Sequence, residues 1–251
     1  MMRLLTSITI VCLLLFTNSC KKEKSATDDT GAFLEIQLVN QVNGQPLQLN
    51  KTLTNSFQET FTLTEYKYYV SNLELLNPSK NFKASDTYFL VNEQSADSKT
   101  LKTTIRADAY DGLVFLVGID STRQVSGNHT GVLDPAQGMY WDANEGYMAA
   151  KMEGTSDFSG APGNVLRHEI GGFEGQTNAL RYVIIPFPAT MVVNQGQTLK
   201  LTIKAELLRW FDGIYPMSIA DNPTILNPGT AAMKIADNYS GQFSLSSIDV
   251  K

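Results

Sequence analysis

From residue 31 onward, apolar and polar residues alternate along the chain with a period of two. The segment 198–208 shows the pattern most clearly. Its apolar positions are Leu199, Leu201, Ile203, Ala205 and Leu207, and its polar ones are Lys200, Thr202, Lys204 and Glu206. A strand places every second side chain on one face, whereas a helix would scatter these five around its circumference. The segment is therefore predicted to be a β-strand with one buried face.

Similar runs predict further strands at 33–39, 61–63, 68–76, 88–91, 113–119, 147–152, 165–170, 179–185 and 243–248. Turn signals such as Asn43-Gly44 and Asn77-Pro78 separate them. One helix is predicted, at 229–239, with Ala231, Ala232, Ile235 and Ala236 on its buried side. Many short strands without strand–helix alternation predict an all-β protein, an antiparallel β-sandwich with one short helix near the C-terminus. We expect a single domain at 31–251.

Two long polar segments, 121–146 and 211–229, interrupt the strand pattern. Loops of this length usually carry function or are disordered. The first contains His129 and Trp141 together with the acidic residues Asp134, Asp142 and Glu145. Both segments are therefore expected to carry function or to be disordered.

Composition narrows the classes of function. Of the 251 residues, 43% are hydrophobic and 18% are charged, as in a globular protein with a substantial core. The formal net charge of −5 argues against a nucleic-acid partner, which would require a basic face. Two histidines and two cysteines are too few for most multi-ligand zinc or iron–sulfur sites.

The N-terminus has the pattern of an export signal. Arg3 precedes a mostly apolar run at 4–16, which is too short to span a membrane comfortably but fits a secretory signal. Ser19 directly before Cys20 resembles a bacterial lipoprotein cleavage site. We therefore expect a signal peptide at 1–19, and a lipidated Cys20 with a flexible tether at 20–30 that attaches the protein to a membrane. The alternative is an ordinary signal peptide with an incidental cysteine.

The lysine-rich run at 21–24 resembles the surface-export signals of some Bacteroidetes lipoproteins. The expected location is the outer membrane, on its periplasmic face or at the cell surface. Cys12 is expected to leave with the signal peptide, so Cys20 would be the only cysteine of the mature chain and no intramolecular disulfide could form.

No sequence motif indicates an enzyme. The chain has no Gly-x-Ser-x-Gly elbow and no phosphate-binding glycine loop, so we expect no catalytic activity. Scattered carboxylates leave a glycosidase open, although no motif supports one. His168 and His129 could form a metal site if the fold brings them together. If the fold keeps them apart, His168 is a hydrogen-bonded histidine at a strand end and His129 is a solvent-facing histidine in a loop.

Aromatic residues concentrate in two stretches, 66–69 and 140–147. They suit packing in the core and at its rim, and they equally suit a glycan-binding face. The sequence does not separate these interpretations.

An ordered set of segments nevertheless resembles the MbnP family of extracytoplasmic copper-binding proteins. The segments are 68–75 (YYVSNLEL), 113–120 (LVFLVGID), 139–141 (MYW), 146–147 (GY), 151–154 (KMEG), 168–171 (HEIG) and 235–240 (IADNYS). The resemblance implies a β-sandwich. It also implies a copper site built from histidines, sometimes with a tryptophan that a partner dihaem enzyme oxidises to kynurenine.

Carried over residue by residue, the resemblance supplies few ligands. His168 matches the family's His-x-x-Gly position, and Trp141 matches the first tryptophan of a Trp-x-Trp pattern whose second position is Ala143. His129 lies in a variable loop and aligns with no family position. Copper held by so few imidazoles would bind weakly. Met139 and Met152 are further thioether donors for Cu(I), although a methionine at the strand position of Met152 is typical of a core.

The resulting hypothesis is a lipid-anchored, non-enzymatic copper-binding protein with His168, His129 and Trp141 as candidate ligands. Its expected partners are a dihaem peroxidase-like enzyme or a TonB-dependent receptor. The alternative is an extracytoplasmic module that recognises a glycan or a protein on the same scaffold without metal.

Overall fold

The protein, described here as a computed structural model over residues 31–124 and 130–251, contains fourteen β-strands and two α-helices within these ranges. The strands are β1 (Ala32–Val42), β2 (Gln45–Pro46), β3 (Thr52–Thr54), β4 (Thr60–Leu76), β5 (Phe82–Lys83), β6 (Tyr88–Asn92), β7 (Thr100–Ile105), β8 (Asp108–Val117), β9 (Met148–Thr155), β10 (Val165–Gly171), β11 (Arg181–Val193), β12 (Thr198–Glu206), β13 (Thr224–Ile225) and β14 (Phe243–Val250). The helices are α1 (Ser121–Gln124) and α2 (Thr230–Ser240). The predictions for the signal peptide, Cys20, the tether and His129 fall outside the described residues.

The strands form two sheets. The smaller sheet has the order β14–β12–β1, with β2 and β7 both paired to β1. The larger sheet has the order β11–β8–β4–β9–β10–β13. Its long strand β4 pairs with β9 and then β8 along one edge, while β3, β6 and β5 pair with the other.

One apolar core lies between the two sheets, as the alternation predicts. Every second residue of β1 from Ala32 to Leu38 is buried, and so is every second residue of β12 from Leu199 to Ala205. The inward side chains of the larger sheet complete the same cluster. The predicted β-sandwich is confirmed.

The pairing within the smaller sheet departs from a purely antiparallel arrangement. β1 and β12 run parallel, from Phe33 opposite Thr198 to Gln41 opposite Glu206. Parallel neighbours need a long crossover, and here the entire larger sheet except β13 lies between them in the chain. Alternation within a strand predicts which face is buried but carries no information on the direction of a distant partner.

Helix α2 occupies almost the predicted segment and packs against β10 and β11. Ala232, Ile235 and Ala236 are buried as expected, whereas Ala231 is only partly buried and Tyr239 takes a core position. Within the described residues, no helix is long and apolar enough to cross a membrane.

Candidate functional site

His168 lies in the core. It is 1% exposed and sits on the inward face of β10 between Leu166 and Ile170. Its imidazole is nearly parallel to the indole of Trp210, with ring centroids 6.1 Å apart, and Phe211 packs at 6.4 Å. Trp210 and Phe211 belong to the segment after β12, so two distant parts of the chain enclose this histidine.

The hydrogen bonding of His168 fixes its tautomer. Its Nε2 lies 2.7 Å from the backbone oxygen of Asn222. Because a carbonyl oxygen only accepts, Nε2 carries the proton and donates it. Nδ1 then keeps a lone pair, and among the described residues it has no hydrogen-bond partner. Burial lowers the pKa of His168 to about 4, and the bond to Asn222 only partly opposes that effect.

Trp141 lies on the opposite face of β10. Its indole Nε1 donates a hydrogen bond of 2.8 Å to Oε2 of Glu169, the residue next to His168. Successive side chains of a strand point to opposite faces, so Glu169 and Trp141 are on the outer side of the sheet. The ring also covers Gly171, where an added Cβ would lie 2.5 Å from a Trp141 ring carbon. The structure therefore does not bring His168 and Trp141 together.

A ladder of alternating charges surrounds Glu169 on this outer face. Arg167 donates to Glu169 through Nε at 2.7 Å and also contacts Glu153 at 3.0 Å. The ladder continues through Lys151, which lies 3.0 Å from Glu153, to Glu65 at 3.4 Å. Burial pushes the pKa of Glu65 upward, but Lys67 and Lys151 outweigh it and hold that pKa below its usual range.

The segment 130–147 covers part of this outer face and shares a small apolar cluster with the sheet. The cluster comprises Tyr69, Leu90, Ile119, Leu133, Met139, Tyr147 and Met148, with Tyr88, Tyr140 and Trp141 partly buried against it. Backbone bonds from Trp141 to Gly146 and from Met148 to Met139 close the segment into a hairpin. Tyr66, Tyr68 and Tyr69 are fully buried as well. Both aromatic stretches thus serve packing.

A second region, the polar cleft, was not found by sequence reasoning. It is an open depression of about 670 Å³. Its lining comprises Asn43, Gly44, Thr54, Asn55, Ser56, Gln58, Glu206, Leu208, Arg209 and Asp212. Three segments far apart in the chain build it, namely the β1–β2 turn, the β3–β4 turn and the stretch after β12. The local signs of it in the sequence were the Asn43-Gly44 turn signal and the long polar segment 211–229, which contains Asp212.

The family model of MbnP matches residues 31–228, more than three quarters of the chain. The chain belongs to the MbnP family. A solved structure of MbnP from Methylosinus trichosporium shares the fold, with a TM-score of 0.57. The match covers 87% of this chain and 97% of that one at 14% sequence identity. Comparison with curated proteins finds no match.

The copper centre implied by the resemblance to MbnP does not fit the described residues. His168 supplies one unpaired nitrogen, but it faces the core, while Trp141 donates to Glu169 on the other side of the sheet. Met152 is directly opposite His168 on β9, whereas Met139 belongs to the outer apolar cluster. Within the described part of the chain, no three histidine, cysteine or acidic side chains group closely enough to hold a metal ion. His129 lies outside it, so its role stays a prediction.

Proposed function

We propose that this MbnP-family protein is an extracytoplasmic recognition module that binds an organic ligand and does not hold copper at His168. One observation carries the proposal: the two candidate ligands of the described chain, His168 and Trp141, point away from each other across β10. A metal centre needs donors that converge on one point. Two residues on opposite faces of a sheet cannot share an ion.

The environment of His168 supports a structural role for it. The ring packs on Trp210 and Phe211, and its Nε2 bonds the backbone of Asn222, so it joins β10 to the segment before β13. Access of copper to Nδ1 would require these contacts to open. The scaffold is thus consistent with the alternative that the sequence left open, a glycan- or protein-binding module without metal.

Copper titration tests the proposal directly. Purified protein is titrated with Cu(I) under reductant and with Cu(II), against a competing chelator. We expect no His168-dependent binding tighter than roughly micromolar. His168→Ala and Trp141→Phe are compared with wild type, and His129→Ala is the matched histidine control.

Tight binding that is lost in His168→Ala, with the fold retained by circular dichroism, would overturn the proposal. Tight binding lost only in His129→Ala would restore copper as the function through a different ligand. Neighbouring genes provide an independent test. A dihaem peroxidase-like enzyme or a TonB-dependent receptor encoded nearby would favour copper, and polysaccharide-utilisation genes would favour recognition.

We further propose that Cys20 carries a lipid that holds the protein at the outer membrane, on its periplasmic face or at the cell surface. Acyl chains contribute about 0.8 kcal/mol per buried methylene, so two or more chains anchor a protein stably. Cys20→Ala is expected to give an uncleaved or soluble species in cell fractionation. A variant that matures and partitions like wild type would rule out the anchor.

A further inference from the structure

We infer that the polar cleft is a binding site for a hydroxyl-rich saccharide, with Arg209 and Asp212 as its main contacts. The inference rests on the proposed recognition function and names the ligand class and the site. Clefts of about 300–1,000 Å³ are typical of small-molecule sites, and this one falls within that range at about 670 Å³.

Two carboxylates hold the walls of the cleft in place. Glu206, at the end of β12, accepts hydrogen bonds from the backbone nitrogens of Asn43 and Gly44 at 3.1 and 3.3 Å. Glu59, which is 4% exposed, accepts bonds from the side chain of Asn55 and from the backbone nitrogens of Ile219 and Ala220. The first carboxylate fixes the β1–β2 turn and the second fixes the β3–β4 turn. Binding would therefore cost little reorganisation of the backbone.

The stretch that carries Arg209 and Asp212 is fixed from behind by Asn238 of α2. This buried amide donates to the backbone oxygens of Trp210 and Tyr215 at 3.1 and 2.7 Å. Its oxygen accepts from the backbone nitrogen of Tyr215 at 2.8 Å. Helix α2 thus stabilises the wall of the cleft that carries Arg209 and Asp212.

Several polar side chains of the lining are available to bind a ligand. Among the described residues, no hydrogen bond is made by the side chains of Asn43, Ser56, Gln58 and Asp212. The side chain of Arg209 makes only one, of 3.3 Å, to the backbone oxygen of Asp212. Both Arg209 and Asp212 are exposed, and no ion pair between described residues includes either of them. The cleft therefore combines hydrogen-bond donors and acceptors that are available to a ligand.

This mixture favours a saccharide over other ligands. Each sugar hydroxyl both donates and accepts, so it can use amide, hydroxyl, guanidinium and carboxylate groups together. A peptide bound by strand addition would need an open strand edge along the cleft, whereas turns and the stretch after β12 form most of this lining.

Affinity electrophoresis of the purified full-length protein tests the site. The gels contain a soluble β-1,3-glucan, an arabinoxylan, polygalacturonate or gastric mucin glycans. We expect retardation by at least one of them. Arg209→Ala and Asp212→Asn should each weaken binding about tenfold or more, since hydrogen bonds to charged groups are the strong ones in such sites. Ser56→Trp should block the cleft sterically without removing a charge.

Lys102→Ala and Asp249→Asn are the matched controls, because they remove the same kinds of charge from exposed positions of the smaller sheet. They should leave retardation unchanged, and all variants should melt like wild type. Retardation that survives all three cleft variants would overturn the site while leaving recognition standing. No retardation by any polysaccharide would overturn the ligand class. His168-dependent copper binding would instead overturn the proposed function, and it is measured separately.

Discussion

The two faces of β10 accommodate neighbouring buried polar residues in different ways. On the inner face, His168 aligns in register with Met152 of β9 and Tyr66 of β4, a row buried in the core. On the outer face, Glu169 aligns with Lys151 and Lys67, a row of charges. Both His168 and Glu169 are almost fully buried. The histidine stays neutral in its row, whereas the carboxylate accepts hydrogen bonds from Arg167 on its own strand and from Trp141 in the segment before β9.

The difference shows that burial alone does not mark a functional site. Trp141 and Arg167 each donate to Glu169, so its charge is compensated within hydrogen-bonding distance. His168 has one donor bond and a depressed pKa, and it is flanked by aromatic rings. A perturbed pKa in a closed aromatic environment is explained by desolvation, without any catalytic or metal-binding demand.

A charge placed on the inner face of β10 should have the largest effect on stability. His168→Lys should lower the free energy of unfolding by about 3–5 kcal/mol, because the ammonium group would be buried without a partner. Denaturant unfolding followed by circular dichroism measures the change. Val165→Lys, on the same strand but 37% exposed, should shift stability little. Similar losses for the two variants would contradict the assignment of faces.

The pH dependence of stability tests the neutral state of His168. The folded pKa is about 4, below the ordinary value of 6.5, so the unfolded chain binds the extra proton between those pH values. The stabilisation of the native state is therefore complete above pH 6.5 and is lost as the pH falls toward 4, by up to about 1.4 kcal/mol per pH unit.

His168→Leu should remove that part of the acid sensitivity, so its stability deficit relative to wild type at pH 7 should shrink at pH 4. The measurement is denaturant unfolding across the range, and His129→Leu separates the contribution of the other imidazole. A deficit that stays constant with pH would mean that His168 is not buried as a neutral ring.

On the outer face, Gly171→Ala should displace Trp141. The new Cβ would lie 2.5 and 2.7 Å from ring carbons of Trp141 and 2.9 Å from the backbone oxygen of Tyr147. We expect a loss of about 1–3 kcal/mol from overpacking, with a red shift in tryptophan emission as the indole moves. Gly160→Ala is the control, since a Cβ there meets nothing within 4 Å. An unchanged emission spectrum would disprove the contact.

Glu169→Gln should have the smallest effect. The amide oxygen can still accept from Trp141, while the ion pair with the half-exposed Arg167 is lost. Solvent screens such a pair, so the expected cost is about 1 kcal/mol or less. Unfolding at low and high salt should differ more for wild type than for the variant. Equal salt dependence would show that Arg167 and Glu169 do not interact appreciably.

Much of this fold could be predicted from the local spacing of apolar and polar residues. The alternation along β12 predicted its buried face, and the apolar spacing at 229–239 predicted α2 to within one residue. The inward orientation of His168 could also be predicted from the sequence, because the apolar residues Leu166 and Ile170, two positions away on either side, share its face. The match to the family's His-x-x-Gly position instead predicted a ligand role for His168.

The class of the fold, the family and the residues that alternate into the core could all be predicted from the sequence. They depend on burial and on spacing within single segments, which a local pattern records. The packing of the sheets places Trp141 and His168 on opposite faces and makes β1 and β12 parallel. It also brings the backbone nitrogen of Asn43 to within 3.1 Å of the carboxylate of Glu206. Contacts between distant segments depend on how whole sheets pack, and no short stretch of sequence contains that information.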